Sequence, residues 1–147
     1  MRNDKSNNVI VHKTFNFALE IIEFTELLQK QHKFRLADQL FKSGTSIGAN
    51  VKEAQNAESK NDFIHKMKIA AKEADETEYW LGLCNSAEDY PNCDYLLSET
   101  QSIIKVLSKI ISTSKLSSNN KSIKTKHTLP RPCHPPAGRC PSPCATL

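Results

Sequence analysis

Several groups of side chains in this sequence have the types and spacing to do chemistry. In "FKSGTSIGAN", residues 41–50, Gly44 and Gly48 suggest a phosphate cradle. That chemistry needs a glycine-rich turn between a strand and a helix, ending in Gly-Lys-Ser/Thr or reading G-x-G-x-x-G. Here the glycines are four apart, no lysine follows either, and no strand pattern precedes them. Asp62-Phe63-Ile64-His65 has the i, i+3 spacing of a di-iron ligand pair. A helical-bundle di-iron site needs two Glu-x-x-His pairs with further inward carboxylates, so a cap at a helix start and an exposed His explain this single pair better. Glu73 and Glu76 lie one turn apart, a spacing open to general acid–base work, but the run "KEADETEYW" reads as a solvated face with pairs such as Lys72–Glu76 available. Tyr79-Trp80 would make a stacking platform for bases, or a packing contact in the core or between subunits, and the apolar neighbour Leu81 favours packing. Near the C-terminus Cys133, His134, Cys140 and Cys144 are four zinc-capable ligands. Their C-H-x5-C-x3-C order matches no common finger, and adjacent ligands strain a tetrahedral site. No nucleophile–base set, metal constellation or phosphate loop emerges, so the expectation is a non-enzyme with no cofactor.

The elements that would position these residues are helices. In the first segment, Phe15, Ala18, Leu19 and Ile22 follow three-and-four spacing, and so do Phe17, Ile21, Phe24 and Leu28. Leu36, Leu40, Ile47, Val51 and Ala54 make the second stripe, with Ser43 in its gap. Phe63, Met67, Ala70, Ala74, Thr77, Leu81 and Cys84 make the third, and Leu96, Ile103, Leu107 and Ile110 the fourth. The connections are short. "QKQH" separates the first two helices, Ser59 with Asp62 three residues on is a start signal, and "DYPNCD" breaks the third helix at Pro91. Four amphipathic helices with short connections predict an all-α, antiparallel up-down-up-down four-helix bundle over residues 9–115.

The chain of 147 residues carries a formal charge of +4, but the sign is local. Lys121, Lys124, Lys126, Arg131 and Arg139 follow residue 115, and none of the 16 Asp/Glu does. The bundle is therefore near neutral and lacks the footprint of a strong nucleic-acid binder. Residues 116–147 hold six of the seven prolines and almost no periodic apolar residues, which predicts a disordered, basic Pro/Cys-rich tail. An odd number of cysteines, five, fits a reduced compartment, with Cys84 a small buried hydrophobe. No run of about 18 apolar residues predicts a membrane span, and the N-terminus lacks a signal-peptide core, so a cytoplasmic location is expected.

Residues 41–50 then read as a helix thinned for contact. Gly44 and Gly48 stack on one face, with Ser43 and Ser46 beside them, and small residues let a neighbouring helix come close. Large aromatic residues, among them Phe63, Tyr79 and Trp80, are expected to fill the opened space. Ser46, Asn50 and Glu53 continue as a polar stripe toward a neighbouring helix. The candidate contact residues are thus Ser43, Gly44, Ser46, Gly48, Asn50, Glu53, Tyr79 and Trp80. Candidate phosphate contacts are Lys42, Lys52, Lys60, Lys66, Lys68 and Lys72, although charge runs of this kind ordinarily serve solubility.

The segment "SGTSIGANVKEAQNAESKNDFIHKMKIAAKEADETEYWL", residues 43–81, resembles the 23S rRNA intervening-sequence protein family, whose members are sometimes labelled four helix bundle protein. The run Ser43–Asn50 carries the resemblance, followed in order by Glu53-Ala54, Asp62-Phe63, Lys72-Glu73-Ala74 and Glu78-Tyr79-Trp80-Leu81. It implies an antiparallel bundle that assembles as a ring-like homopentamer in bacteria. A more distant similarity is to the accessory protein of diversity-generating retroelements, a basic pentamer that binds a reverse transcriptase and nucleic acid. The expected function is a non-enzymatic, homo-oligomeric binding scaffold with itself as partner. The alternative is an RNA-binding adaptor on rRNA or a reverse-transcriptase complex.

Overall fold

A computed structural model of the chain describes residues 8–124, with side chains over 8–116. Four helices follow one another: α1 (Val9–Lys30), α2 (Phe34–Ala54), α3 (Lys60–Ser86) and α4 (Asp94–Lys124). Each packs on its sequence neighbour, and α4 closes the ring against α1. Cross-helix pairs run in opposite directions along three of the four seams. Gly44 approaches Ile21 while Gly48 approaches Thr14, and Tyr95 reaches Glu20 while Glu99 reaches Lys13. Asn85 meets Asp94 while Glu78 meets Gln101. This register is consistent with the up-down-up-down order.

The predicted stripes supply the core. Phe17, Ile21 and Leu28 of α1 meet Leu40, Ile47 and Val51 of α2, Met67 and Leu81 of α3, and Ile103 and Leu107 of α4, all at 1% exposure or less. Burying a side chain of this size stabilises the fold by about 1.5–3 kcal/mol. Four threonines also lie in this interior. Thr14, Thr25, Thr77 and Thr100 each donate the hydroxyl to a carbonyl one turn back, so no helix needs a partner for them. Cys84 is fully buried as expected; burial, followed by the proximity of Cys93, pushes its thiol up to about 12.

The ends of the helices are set by local chemistry. Ser59 caps α3, its Oγ accepting the Asp62 amide at 3.1 Å. The end of α1 is a Schellman motif: the Lys33 amide donates to Leu28 O and the His32 amide to Gln29 O. That geometry needs a left-handed residue, and His32 takes it with φ of 61°. At the far end, α4 continues past residue 115 to Lys124. Extending an existing helix adds one hydrogen bond per residue fixed, and the first tail proline comes only at 130, so nothing in 116–124 stops it. The remainder of the expected tail, 125–147, with its Cys133, His134, Cys140 and Cys144, lies outside the described residues.

Candidate interaction surfaces

Residues 41–50 lie within α2, and both glycines face α1. A Cβ on Gly44 would sit 2.8 Å from Ile21 Cγ2 and 2.9 Å from Cγ1; one on Gly48 would sit 3.3 Å from the Thr14 carbonyl oxygen. The expected close approach is there, but the occupant differs from the expectation. Ile21 and the α1 backbone fill the space, not Phe63, Tyr79 or Trp80. Two aliphatic helices meeting across Gly leave no room for an aromatic ring between them.

The polar residues of the stretch turn back on their own helix. Ser43 Oγ donates to Gln39 O at 3.0 Å, Ser46 Oγ to Lys42 O at 2.7 Å, and Asn50 Nδ2 to Ser46 O at 2.9 Å. Ser43 is buried by this arrangement, while Ser46 and Asn50 are half-buried. Of the predicted stripe, Glu53 reaches another helix, accepting from Lys66 Nζ of α3 at 2.6 Å. The hydrogen bond to Glu53, and after it the charge of that carboxylate, hold the Lys66 pKa above the usual lysine value. Lys66 is thus held in an ion pair, and the side chains of Lys42, Lys52, Lys60, Lys68 and Lys72 are exposed.

Tyr79 is exposed and Trp80 half-buried, their rings edge to face at 5.1 Å. The Trp80 indole donates to Glu76 Oε1 at 3.1 Å. Burial pushes the Glu73 carboxyl up, Glu76 adds to the effect, and Lys42 opposes it. Trp80 also lines a cavity of about 590 Å³ with Leu36, Leu83, Arg35 and Tyr90. Lys33 Nζ stands 4.6 Å over the Tyr90 ring beside it. Sequence reasoning passed over this cluster, although "KQHKFR" at 30–35 interleaves basic and aromatic residues. Among the described residues no group of three or more His, Cys, Asp or Glu could hold a metal, and no helix is long and apolar enough to cross a membrane.

The outer face of α1 is the larger surprise. Of its two apolar stripes, Phe17, Ile21, Phe24 and Leu28 enter the core. The other faces outward, leaving Phe15 62% and Leu19 47% exposed, with Ala18 and Ile22 half-buried alongside. On α2, Phe34 and Phe41, two turns apart, are 52% and 48% exposed.

Comparison with known proteins agrees with this architecture. The chain is similar to a protein of unknown function from the S23 ribosomal protein family of Bacteroides thetaiotaomicron, whose crystal structure superposes with a TM-score of 0.67 at 40% identity. The match covers 69% of this chain and 97% of that one. No curated protein matches the chain. Residues 6–113 match the model of the family described as 23S rRNA-intervening sequence protein. The chain belongs to the 23S rRNA-intervening sequence protein family.

Proposed function

We propose that this protein is a non-enzymatic, homo-oligomeric scaffold of the cytoplasm, a ring of bundles that presents repeated surfaces to its partners. The second apolar stripe of α1 carries the reading. Single exposed apolar side chains are ordinary, but Phe15 and Leu19 stand one turn apart with Ile22 on the same face. A second copy would remove this face from water, and a pentameric ring would do so in every protomer. Repetition then makes weak individual contacts strong through avidity.

Native mass spectrometry and light scattering of the full chain test this directly. Phe15→Glu with Leu19→Glu should yield a helical monomer where the parent is an oligomer. A monomeric parent, or an unchanged mass in a folded variant, would remove the proposal's foundation.

A second reading, an RNA-binding adaptor on rRNA or a reverse-transcriptase complex, draws on Lys42, Lys52, Lys60, Lys68 and Lys72 on the outer surfaces of α2 and α3. A ring would multiply these charges. An RNA titration over a salt series distinguishes the two: phosphate contacts give a steep loss of affinity with salt, and a pure scaffold gives no binding.

A further inference from the structure

The cavity of about 590 Å³ beside Trp80 has the size of a small-molecule site, for which about 300–1,000 Å³ is typical. Its walls are apolar and aromatic: Leu36 of α2, Trp80 and Leu83 of α3, and Tyr90 of the α3–α4 connection. Trp80 and Tyr90 are half-buried, so each ring keeps part of its surface open. One contact steadies each of them. Glu76 holds the Trp80 indole N–H, and Lys33 stands over the Tyr90 ring without lining the cavity, so the cavity meets the rest of that ring.

Three polar side chains from the start of α2 border the same cavity: Arg35, Asp38 and Gln39. None of the three makes a hydrogen bond or ion pair among the described residues, although Arg35 and Asp38 lie one turn apart with opposite charges. Exposed polar side chains are ordinary on a helix. What sets these apart is their combination at the edge of an aromatic recess: a donor-only guanidinium, an acceptor-only carboxylate and an amide that does both. Opposite charges in one lining disfavour a simple anion or a simple cation. They fit a flat, neutral ring whose edge carries donors and acceptors together.

We propose that this cavity binds the base of an unpaired guanine nucleotide, its ring against Trp80 and Tyr90 and its edge on Arg35, Asp38 and Gln39. Aromatic side chains hold a flat base by stacking. Guanine presents two neighbouring donors, N1–H and the N2 amino group, which match the two oxygens of the Asp38 carboxylate; its O6 and N7 accept from the guanidinium. Adenine, cytosine and uracil lack that adjacent pair of donors. The run "KQHKFR", residues 30–35, contains no acidic residue and gives the attached phosphate a positive surround. The site rests on neither the scaffold reading nor the lysines of α2 and α3 named above. Its ligand is either a free nucleotide or one residue of a single RNA strand.

Trp80 is the sole tryptophan of the chain, so its indole N–H gives one NMR signal that reports on the cavity directly. The 15N-labelled full chain is titrated with GMP, IMP and AMP, and with short uridine oligonucleotides carrying a central guanine or a central adenine. Saturable movement of the Trp80 indole signal is expected with GMP. AMP should bind at least about tenfold more weakly, and IMP, which lacks the N2 amino group, should fall between them. Asp38→Asn should abolish the preference for GMP, and the three nucleotides compared on the parent protein decide the matter even if the variant does not fold. Tighter binding of the guanine oligonucleotide than of GMP assigns the site to an RNA strand, and equal or weaker binding assigns it to free nucleotides. An unmoved indole signal, equal affinity for GMP and either IMP or AMP, or an unchanged preference in a folded Asp38→Asn variant would overturn the site. Oligonucleotides that bind alike whatever their base, with Trp80 unmoved, would remove this site alone and leave the lysine surface as the RNA contact.

Discussion

Replacing Gly44 with Ala sets two effects of known size against each other. In an open helix the change is favourable by about 0.8–1 kcal/mol, because alanine loses less backbone entropy on folding. At Gly44 the new Cβ would meet Ile21 Cγ2 at 2.8 Å and Cγ1 at 2.9 Å. Carbon atoms rest comfortably at about 3.5–4.0 Å, so these contacts are too short by most of an ångström. Ile21 is fully buried, and the clashing atoms are at the root of its side chain, which cannot swing away. Overpacking of this kind costs about 1–3 kcal/mol, so the net result should be a destabilisation of up to about 2 kcal/mol. Urea denaturation followed by circular dichroism at one fixed protomer concentration measures it, since assembly would otherwise shift the midpoint. Gly82 is the internal control: nothing lies within 4 Å of its Cβ position. Gly82→Ala should therefore stabilise by about 0.5–1 kcal/mol. In an Ile21→Ala background, which is itself costly by about 2–5 kcal/mol, Gly44→Ala should change sign and become stabilising. A Gly44→Ala variant as stable as Gly82→Ala in the parent background would refute the close-contact argument.

Other consequences follow from the helix ends and the buried thiol. His32→Gly should raise stability by about 1 kcal/mol in the same denaturation assay, because glycine carries no penalty in the left-handed conformation that ends α1. Ser59→Ala should lower it by about 1 kcal/mol by leaving the Asp62 amide without its cap, whereas Ser59→Asn, an equally good cap, should lose little of it. Cys84 should resist thiol reagents in the native state, since its thiolate is disfavoured by burial. Its folded pKa lies above the unfolded one, so its contribution to stability is complete below pH 9.0 and is lost as pH rises toward about 12. In Cys84→Ala the alkaline decline in stability should be shallower by that part; an identical slope would show that Cys84 does not titrate as its burial requires.

The local structure of this protein is written in its sequence because helices are made from near neighbours. Three-and-four spacing located all four helices, Ser59 with Asp62 marked the start of α3, and the small residues of 43–50 were legible as a thinned helix. The family, too, is carried by one contiguous run and its ordered flanks. Tertiary structure decided what each face meets. Periodicity gives the angle of a stripe on a helix but not which neighbour covers it, so α1 showed two apolar stripes of similar quality and only packing chose Phe17, Ile21, Phe24 and Leu28 for the core. For the same reason the glycines announced a close contact without announcing Ile21 and Thr14 as its other side. Glu20 and Tyr95 are 75 residues apart and carry no motif, and only closure of the ring by α4 brings the hydroxyl to one carboxylate oxygen and leaves the other buried beside it.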